Sequence, residues 1–224
     1  DNALLYRLFS LHIVLPFVIV GVVILHLVAL HRFGSNNPIG IDVKGKQDTL
    51  PFHPYYTIKD LFGLGVFLTM FAAAVFFFPN FMGHPDNYIP ANPLSTPAHI
   101  VPSWYFTPFY AMLRAVDFSL FGFTAKFLGF VTMAAGIAIF AALPWLDRSP
   151  VKSIRYKEIL SKAFLAGFVV SFFVLGYLGA VPPSDLKNLL AKVFTVVYFS
   201  YFLLMPIYTR LEKCKPVPER APGH

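Results

Sequence analysis

The sequence predicts an all-α integral membrane protein: a helical bundle of about five transmembrane helices, with a short interfacial helix in a long outer loop. Of the 224 residues, 57% are hydrophobic and only 13% are charged, which is too little charge to cover a soluble domain of this length. The apolar residues gather into runs close to the roughly 20 residues that cross a bilayer as a helix. These runs cover approximately residues 11–30, 61–78, 127–145, 163–181 and 189–208.

A long stretch, residues 79–124, separates the second run from the third. It is rich in proline and aromatic residues and is too broken to cross a bilayer. A connection of this length with no structure of its own is uncommon in a compact protein. We therefore expect a structured surface excursion, with a short helix over about 105–115 that lies along the membrane.

The basic residues indicate how the chain threads the membrane, because Lys and Arg accumulate in the loops on the inner side. An odd number of crossings puts three basic groups on one face. They hold thirteen of the 18 Lys and Arg residues: Arg32, Lys44, Lys46 and Lys59; Arg148, Lys152, Arg155, Lys157 and Lys162; and Arg210, Lys213, Lys215 and Arg220. We expect the N-terminus on the outer, positive side and the C-terminus on the inner side.

Composition excludes several function classes. The net charge of +7 comes from basic residues spread over loops, without the aromatic-interleaved patch that binds nucleic acid. The one cysteine, Cys214, lies in a polar tail, which excludes an internal disulfide and a cysteine-held iron–sulfur cluster within this chain. The chain opens abruptly at Asp1 with no signal peptide, and we expect its beginning to lie elsewhere.

Two histidines lie in the first predicted span, where an ionisable ring is costly and usually functional. His12 and His26 are fourteen positions apart, which in a helix is about 40° less than four full turns and about 21 Å of rise. Their side chains therefore point the same way, one near each leaflet. Imidazole is an axial ligand of haem iron, and two on one stripe could hold two stacked haems. Spacing alone supports hydrogen-bonded interfacial histidines equally well, and Pro16 is compatible with both interpretations. No other predicted span contains a histidine, so second ligands would come from another helix.

Three stretches carry a resemblance to a known family. Residues 9–38 resemble the fourth helix of cytochrome b and the loop that follows it. Residues 52–60, FHPYYTIKD, resemble the start of the fifth helix, and residues 102–114, PSWYFTPFYAMLR, resemble the quinol-site signature. The sequence is identified as a member of the cytochrome b family, in its respiratory form, from the fourth to the eighth transmembrane helix.

This resemblance implies the domains and the cofactors. Residues 1–32 would be the haem-ligating helix that ends the N-terminal domain. Residues 33–224 would be the C-terminal domain, with four transmembrane helices and the quinol-site loop at 79–124. Two b-type haems are implied, with His12 on the low-potential haem iron and His26 on the high-potential haem iron. Their opposite ligands would lie in the family's first three helices, which this sequence lacks.

The resemblance also implies an activity and partners. The chain would be a subunit of a quinol–cytochrome c oxidoreductase that passes electrons from quinol through two b-type haems to ubiquinone or a related quinone, with charge and proton translocation. Its partners would be a Rieske-type iron–sulfur protein, cytochrome c1, the missing N-terminal part of cytochrome b, and a second copy of the complex in a homodimer. The membrane would be the bacterial or the mitochondrial inner membrane.

A quinone reduction site needs proton donors near the inner haem. By resemblance, His31 and Asp60 would flank the quinone carbonyls, and Ser35 and Lys59 would assist hydrogen bonding and proton uptake. From the residues alone, Lys59 and Asp60 are better explained as an interfacial helix cap.

The quinol oxidation site would lie in the outer excursion, where Pro102, Trp104, Tyr105 and Tyr110 can form an apolar slot with hydroxyl groups on its wall. Without the resemblance, these aromatics would be assigned to an interfacial belt. Tyr105 and Tyr110 are the candidate catalytic residues, together with the residue that replaces the family's glutamate.

That replacement is Ser103, where the family signature normally reads Pro-Glu-Trp-Tyr. A carboxylate accepts a proton near neutral pH, whereas a serine hydroxyl does not. We therefore predict that proton release here depends on another group, for which the candidates are Asp86, His99 and Asp117 with water.

Two rival functions remain open at this point. A transporter could use intramembrane histidines as proton relays, although the acids Asp60 and Asp147 lie only at span ends. A haem-free structural subunit is the other rival.

Overall fold

The computed structural model describes residues 2–35, 37–81, 83–92, 94–97 and 99–220. Within these ranges the chain is all-α and contains no β-strand. The helices are α1 (Asn2–Phe33), α2 (Thr57–Phe77), α3 (Thr107–Ala115), α4 (Ala125–Ala138), α5 (Leu143–Leu146), α6 (Ile159–Ala180), α7 (Asp185–Leu203) and α8 (Met205–Leu211).

Five described segments are long and apolar enough to cross a membrane: Asn2–Phe33, Lys46–Phe77, Ala125–Leu146, Ile159–Ala180 and Asp185–Leu203. Each contains one of the five runs that hydropathy predicts, apart from a few terminal residues. The predicted fold class is confirmed, and the chain is an integral membrane protein. It divides into two compact units, Asp1–Ile41 and Asp42–His224. The predicted domain boundary after residue 32 stays a prediction.

The first unit consists of α1 and the turn that follows it. The helix has 32 residues, about 48 Å, and none of them is buried within the unit. It continues through Pro16 without interruption. After the helix, the side chain of Asn37 closes a turn by donating to the carbonyl of Ile41 (2.6 Å) and accepting from its amide (3.2 Å).

In the second unit, two prolines interrupt predicted spans. The third span changes from α4 to a tighter turn over Ile139–Ala142 before α5, whose first turn contains Pro144. The fifth span breaks at Leu204, between α7 and α8, and Pro206 lies in the first turn of α8. A proline cannot donate to the carbonyl four residues earlier and its ring crowds that group, so each break begins in the turn before the proline.

The core of the second unit lies where α3, α4, α6 and α7 meet. Met112, Leu175, Tyr198 and Phe202 are fully enclosed there. The Tyr198 hydroxyl donates to the carbonyl of Gly136 on α4 (2.8 Å), which satisfies its only donor inside the bundle. The helix expected over 105–115 is present as α3, and one of its faces is wedged between three spans rather than resting on the surface.

Polar contacts fix the two ends of this unit. In the connection before α6, Lys152 pairs with Asp42 (2.6 Å), and Lys44 lies 3.9 Å from Glu219. The loop after residue 41, this connection and the C-terminal segment therefore meet. At the other end, Arg114 donates to the carbonyl of Val181 (3.2 Å). Which membrane face each end meets stays a prediction.

Candidate functional site

The two predicted haem ligands lie on a single uninterrupted helix. His12 and His26 are both exposed on α1, so the spacing assumed from sequence applies: about 21 Å of rise, with directions that differ by about 40°. Pro16, Ile19 and Val23 fall between them within about 40° of the same direction. The result is an apolar stripe with an imidazole toward each end.

This stripe fits the chemistry of a haem, which offers a flat apolar ring and an iron that accepts an axial imidazole nitrogen. Neither imidazole has a hydrogen-bond partner among the described residues, so the ring nitrogens of both are available for ligation. No group of three or more His, Cys, Asp or Glu side chains that could hold a metal ion occurs in the described part of the chain. The stripe on α1 instead offers one imidazole toward each of its ends, and a single imidazole is what axial ligation of a haem iron requires.

The predicted quinone-reduction residues are divided between the two units. His31 lies in the last turn of α1, and Ser35 follows that helix, both exposed in the first unit. Lys59 and Asp60 lie in the first turn of α2, both exposed in the second. A carboxylate in a first helical turn is favoured by the helix dipole, as the cap interpretation expects.

The predicted quinol-oxidation residues lie together at the start of α3. Ser103 begins a tight turn over Trp104–Phe106 that leads directly into the helix. The carbonyl of Ser103 accepts from the Phe106 amide (2.8 Å), and the Thr107 hydroxyl donates to the carbonyl of Trp104 (2.7 Å). These bonds hold the signature residues in one compact turn.

Aromatic side chains from this turn project outward. Trp104 is 72% exposed and Tyr105 53% exposed, and their rings meet edge to face with centroids 5.7 Å apart. Tyr110 is half-buried one turn into α3, with the Arg114 guanidinium 5.4 Å from its ring centre. The arrangement offers exposed ring faces and phenol hydroxyls beside a rigid backbone, which can bind and orient a quinol ring.

Three glycines hold α3 in place, and the sequence interpretation missed them. A Cβ at Gly179 of α6 would overlap the carbonyl oxygen of Thr107, and one at Gly129 of α4 would overlap the carbonyl of Leu113. A Cβ at Gly136 would come within 2.9 Å of the Met112 sulfur. Small residues allow such close backbone approach between membrane helices. The seven-residue spacing of Gly129 and Gly136, two helical turns on one face, was the available signal.

The structure distinguishes the groups proposed to replace the missing glutamate. Asp117 accepts a hydrogen bond from the Lys192 ammonium (2.6 Å), and this bond, together with the positive charge, holds the pKa of Asp117 below its usual range. It is therefore a poor proton acceptor near neutral pH. The His99 Nε2 lies 3.3 Å from the carbonyl of Ala180 at the end of α6. Asp86 lies 3.4 Å from the His84 Nδ1, beside an open cavity of the excursion.

Family models match most of the chain. A model described as "Cytochrome b(N-terminal)/b6/petB" matches residues 1–85, and one described as "Cytochrome b(C-terminal)/b6/petD" matches residues 90–199.

Curated relatives and a solved structure agree with these models. Cytochrome b of Allochromatium vinosum is 54% identical over 234 aligned residues, which cover 98% of this chain and 56% of that protein. Cytochrome b of Rhodospirillum rubrum is 51% identical over 219 residues, covering 97% and 52%. A chain of a structure titled "Hyperthermophilic respiratory Complex III" superposes with a TM-score of 0.80 at 34% identity, covering 92% of this chain and 51% of its own length.

The chain thus spans about half the length of the curated relatives it matches. The curated relatives share its sequence, the solved structure shares its helical arrangement, and the resemblance carried by the three sequence stretches is confirmed. The chain belongs to the cytochrome b family.

Proposed function

We propose that this chain is part of a quinol–cytochrome c oxidoreductase, in which quinol is oxidised at one membrane face and quinone is reduced at the other with proton translocation. The observation that carries the proposal is the unbroken helix α1, which presents His12 and His26 on one apolar stripe. Relatives named cytochrome b, and a structural neighbour titled as a respiratory Complex III, belong to the same class. The activity is that of the whole protein, to which this chain contributes.

Membership of the family implies b-type haem, and we propose two haems, one for each histidine. When bound, b-type haem supplies one-electron carriage between the two faces. His12 would hold the low-potential iron and His26 the high-potential iron, each through one imidazole nitrogen. The aliphatic stripe between them would pack against apolar groups and exclude water.

At the quinol site, the chain's own residues bind the ring and handle its protons. Pro102 and Trp104 would form the apolar walls, and the hydroxyls of Tyr105 and Tyr110 would orient the ring oxygens. Ser103 can donate to or accept from a ring oxygen or a water, but it cannot take the proton away at neutral pH. Because Asp117 is paired with Lys192, Asp86 and His99 are the remaining candidates to accept the quinol proton.

At the quinone reduction site, protons must reach the ring oxygens as electrons arrive. His31 is proposed as one donor and Asp60 as another. Ser35 would hold a ring oxygen by its hydroxyl, and Lys59 would assist proton entry by donating hydrogen bonds from its ammonium group and would stabilise developing negative charge. The exposure of all four side chains is compatible with these roles.

The quinone is proposed to be ubiquinone or a related quinone. The partners are proposed to be a Rieske-type iron–sulfur protein, cytochrome c1, the N-terminal part of cytochrome b and a second copy of the complex. The membrane is proposed to be the bacterial or mitochondrial inner membrane, with the C-terminal segment inside. The positive-inside rule supports that orientation, because the connection before α6 and the C-terminal segment are both basic.

Anaerobic addition of quinol to the complete protein, purified with its partner subunits, tests this function. We expect paired b-type bands in the reduced-minus-oxidised spectrum, produced by quinol as well as by dithionite, and quinol-dependent reduction of cytochrome c. Absence of a Soret band would contradict the proposal and favour a transporter. Haem bands that quinol cannot reduce would also contradict it and favour a structural role.

A further inference from the structure

Two segments at the basic end of the second unit are fastened side by side. The Glu212 carboxylate accepts from the amide of Ser161 (3.1 Å) and, through its other oxygen, from the Ser161 hydroxyl. The amide of Lys215 donates to the carbonyl of Tyr156 (2.8 Å). These bonds hold the start of α6 and the turn before it, residues 155–162, against residues 210–215.

These two segments carry an unusual number of positive charges that have no bonded partner among the described residues. Within the described part of the chain, no hydrogen bond or ion pair engages the charged groups of five exposed residues: Arg155, Lys162, Arg210, Lys213 and Lys215. Other cations at this end are paired, Lys157 with Asp147 (2.5 Å) and Lys152 with Asp42. Of the carboxylates in the two segments, Glu212 is buried with both oxygens bonded to Ser161, which leaves only the half-buried Glu158 to offset five cations.

Large apolar side chains stand exposed directly beside these charges. Ile159 is 73% exposed and Leu160 44% at the start of α6, and Leu211 is 72% exposed at the end of α8. Because α6 crosses the membrane, its first turn lies where the hydrocarbon layer gives way to headgroups. A ligand for this surface must therefore present an anion to the cations and a hydrocarbon chain to the apolar side chains.

We propose that residues 155–162 and 210–215 form a binding site for an anionic phospholipid, with the headgroup phosphate held by Lys162 and Lys213. These two residues adjoin the Ser161–Glu212 contact, so their flexible ammonium groups can reach a common anion. Arg155 and Arg210 supply planar donors for additional phosphate oxygens. A zwitterionic lipid would bring its own cation into a surface that already has a positive excess, so lipids with net negative charge are preferred. The inference rests on membrane insertion and not on the proposed electron-transfer function.

Native mass spectrometry of the complete purified protein, titrated in detergent with phosphatidylglycerol or phosphatidylcholine, tests the site. The wild type should retain phosphatidylglycerol preferentially. The double variant Lys162→Gln/Lys213→Gln should weaken its tightest phosphatidylglycerol binding by roughly fivefold or more, with little change for phosphatidylcholine. Lys162→Arg/Lys213→Arg, which keeps both charges, should retain the preference and controls for folding.

The matched control is Lys46→Gln/Lys126→Gln, which removes two exposed lysines outside the segments whose ammonium groups have no partner in the part of the chain that the structure describes. It should leave phosphatidylglycerol binding unchanged. The proposal is overturned if the Lys162/Lys213 glutamine variant binds phosphatidylglycerol as the wild type does, or if the control loses as much affinity. It is also overturned if glycerol 3-phosphate displaces the lipid at equal concentration, since the surface would then be a simple anion site.

Discussion

The carbonyl oxygen of Thr107 lies so close to the backbone of Gly179 that a Cβ at Gly179 would overlap it. Gly179→Ala should therefore push the start of α3 away from α6 and destabilise the protein by about 1–3 kcal/mol, as overpacking does. Because Thr107 directly follows the turn over Trp104–Phe106, the KM for quinol should also rise. Thermal unfolding and steady-state kinetics of the complete protein measure the two effects.

Gly176→Ala is the matched control for that variant. A Cβ at Gly176 would meet Pro108 at 3.6 Å, an ordinary contact, on the same face of α6. Alanine is favoured over glycine within a helix by up to about 1 kcal/mol, so this variant should be neutral or stabilising with unchanged KM. Equal behaviour of the two alanine variants would show that close backbone approach does not position α3.

Ser103→Glu should accelerate quinol oxidation if proton release limits the rate. A carboxylate at this position can act as a base, which typically contributes 10²-fold or more, so we expect an increase of roughly ten- to a hundredfold. The acidic limb of the pH–rate profile should move to the pKa of the new carboxyl. Ser103→Gln provides side-chain bulk without a base and should stay slow. Unchanged rate and pH dependence in Ser103→Glu would count against Ser103 limiting proton exit.

Glu212→Ala should destabilise the second unit, because it leaves the buried amide and hydroxyl of Ser161 without their acceptor. The expected loss is about 1–3 kcal/mol in the free energy of unfolding. Glu219→Ala removes a carboxylate that is 94% exposed and 3.9 Å from Lys44, and it should change stability by less than about 0.5 kcal/mol. Denaturant titration in detergent compares the two variants, and similar losses would contradict a specific role for Glu212.

The ion pair between Asp42 and Lys152 predicts a pH-dependent stability difference. The hydrogen bond and charge of Lys152 lower the pKa of Asp42, so the pair stabilises the folded protein above the ordinary carboxyl pKa of about 3.9. That contribution disappears as pH falls through the lowered value. The unfolding temperature of Lys152→Met should therefore lie slightly below that of the wild type at pH 6 and coincide with it near pH 2. Lys46→Met removes an ammonium group that has no partner among the described residues, and this variant should match the wild type at both pH values.

Hydropathy was sufficient to predict the five spans, because the need to satisfy backbone groups in lipid leaves few alternatives to a helix. It did not predict where those spans break. Pro16 leaves α1 continuous, whereas helical geometry changes before Pro144 and Pro206. The same residue type therefore gives different outcomes in different spans.

The helix α3 was predictable as a helix but not as a wedge in the core. The position of α3 depends on glycines contributed by α4 and α6. The residue pattern within one segment carries no information about which helices will pack against that segment. The histidine stripe, in contrast, depends only on the spacing of His12 and His26 along one helix, and the unbroken α1 preserves it. The roles proposed for His31, Ser35, Lys59 and Asp60 come from the family resemblance, since their local settings also suit an ordinary helix end.

Optical redox titration of single histidine variants in the complete protein tests the central claim most directly. If α1 gives one imidazole to each of two haems, His12→Leu should abolish the low-potential b-type component and leave the high-potential one, and His26→Leu should do the reverse. His84→Leu, in the excursion, should retain both components. If both components persist unchanged in His12→Leu and in His26→Leu, neither histidine is a haem ligand and the account is contradicted.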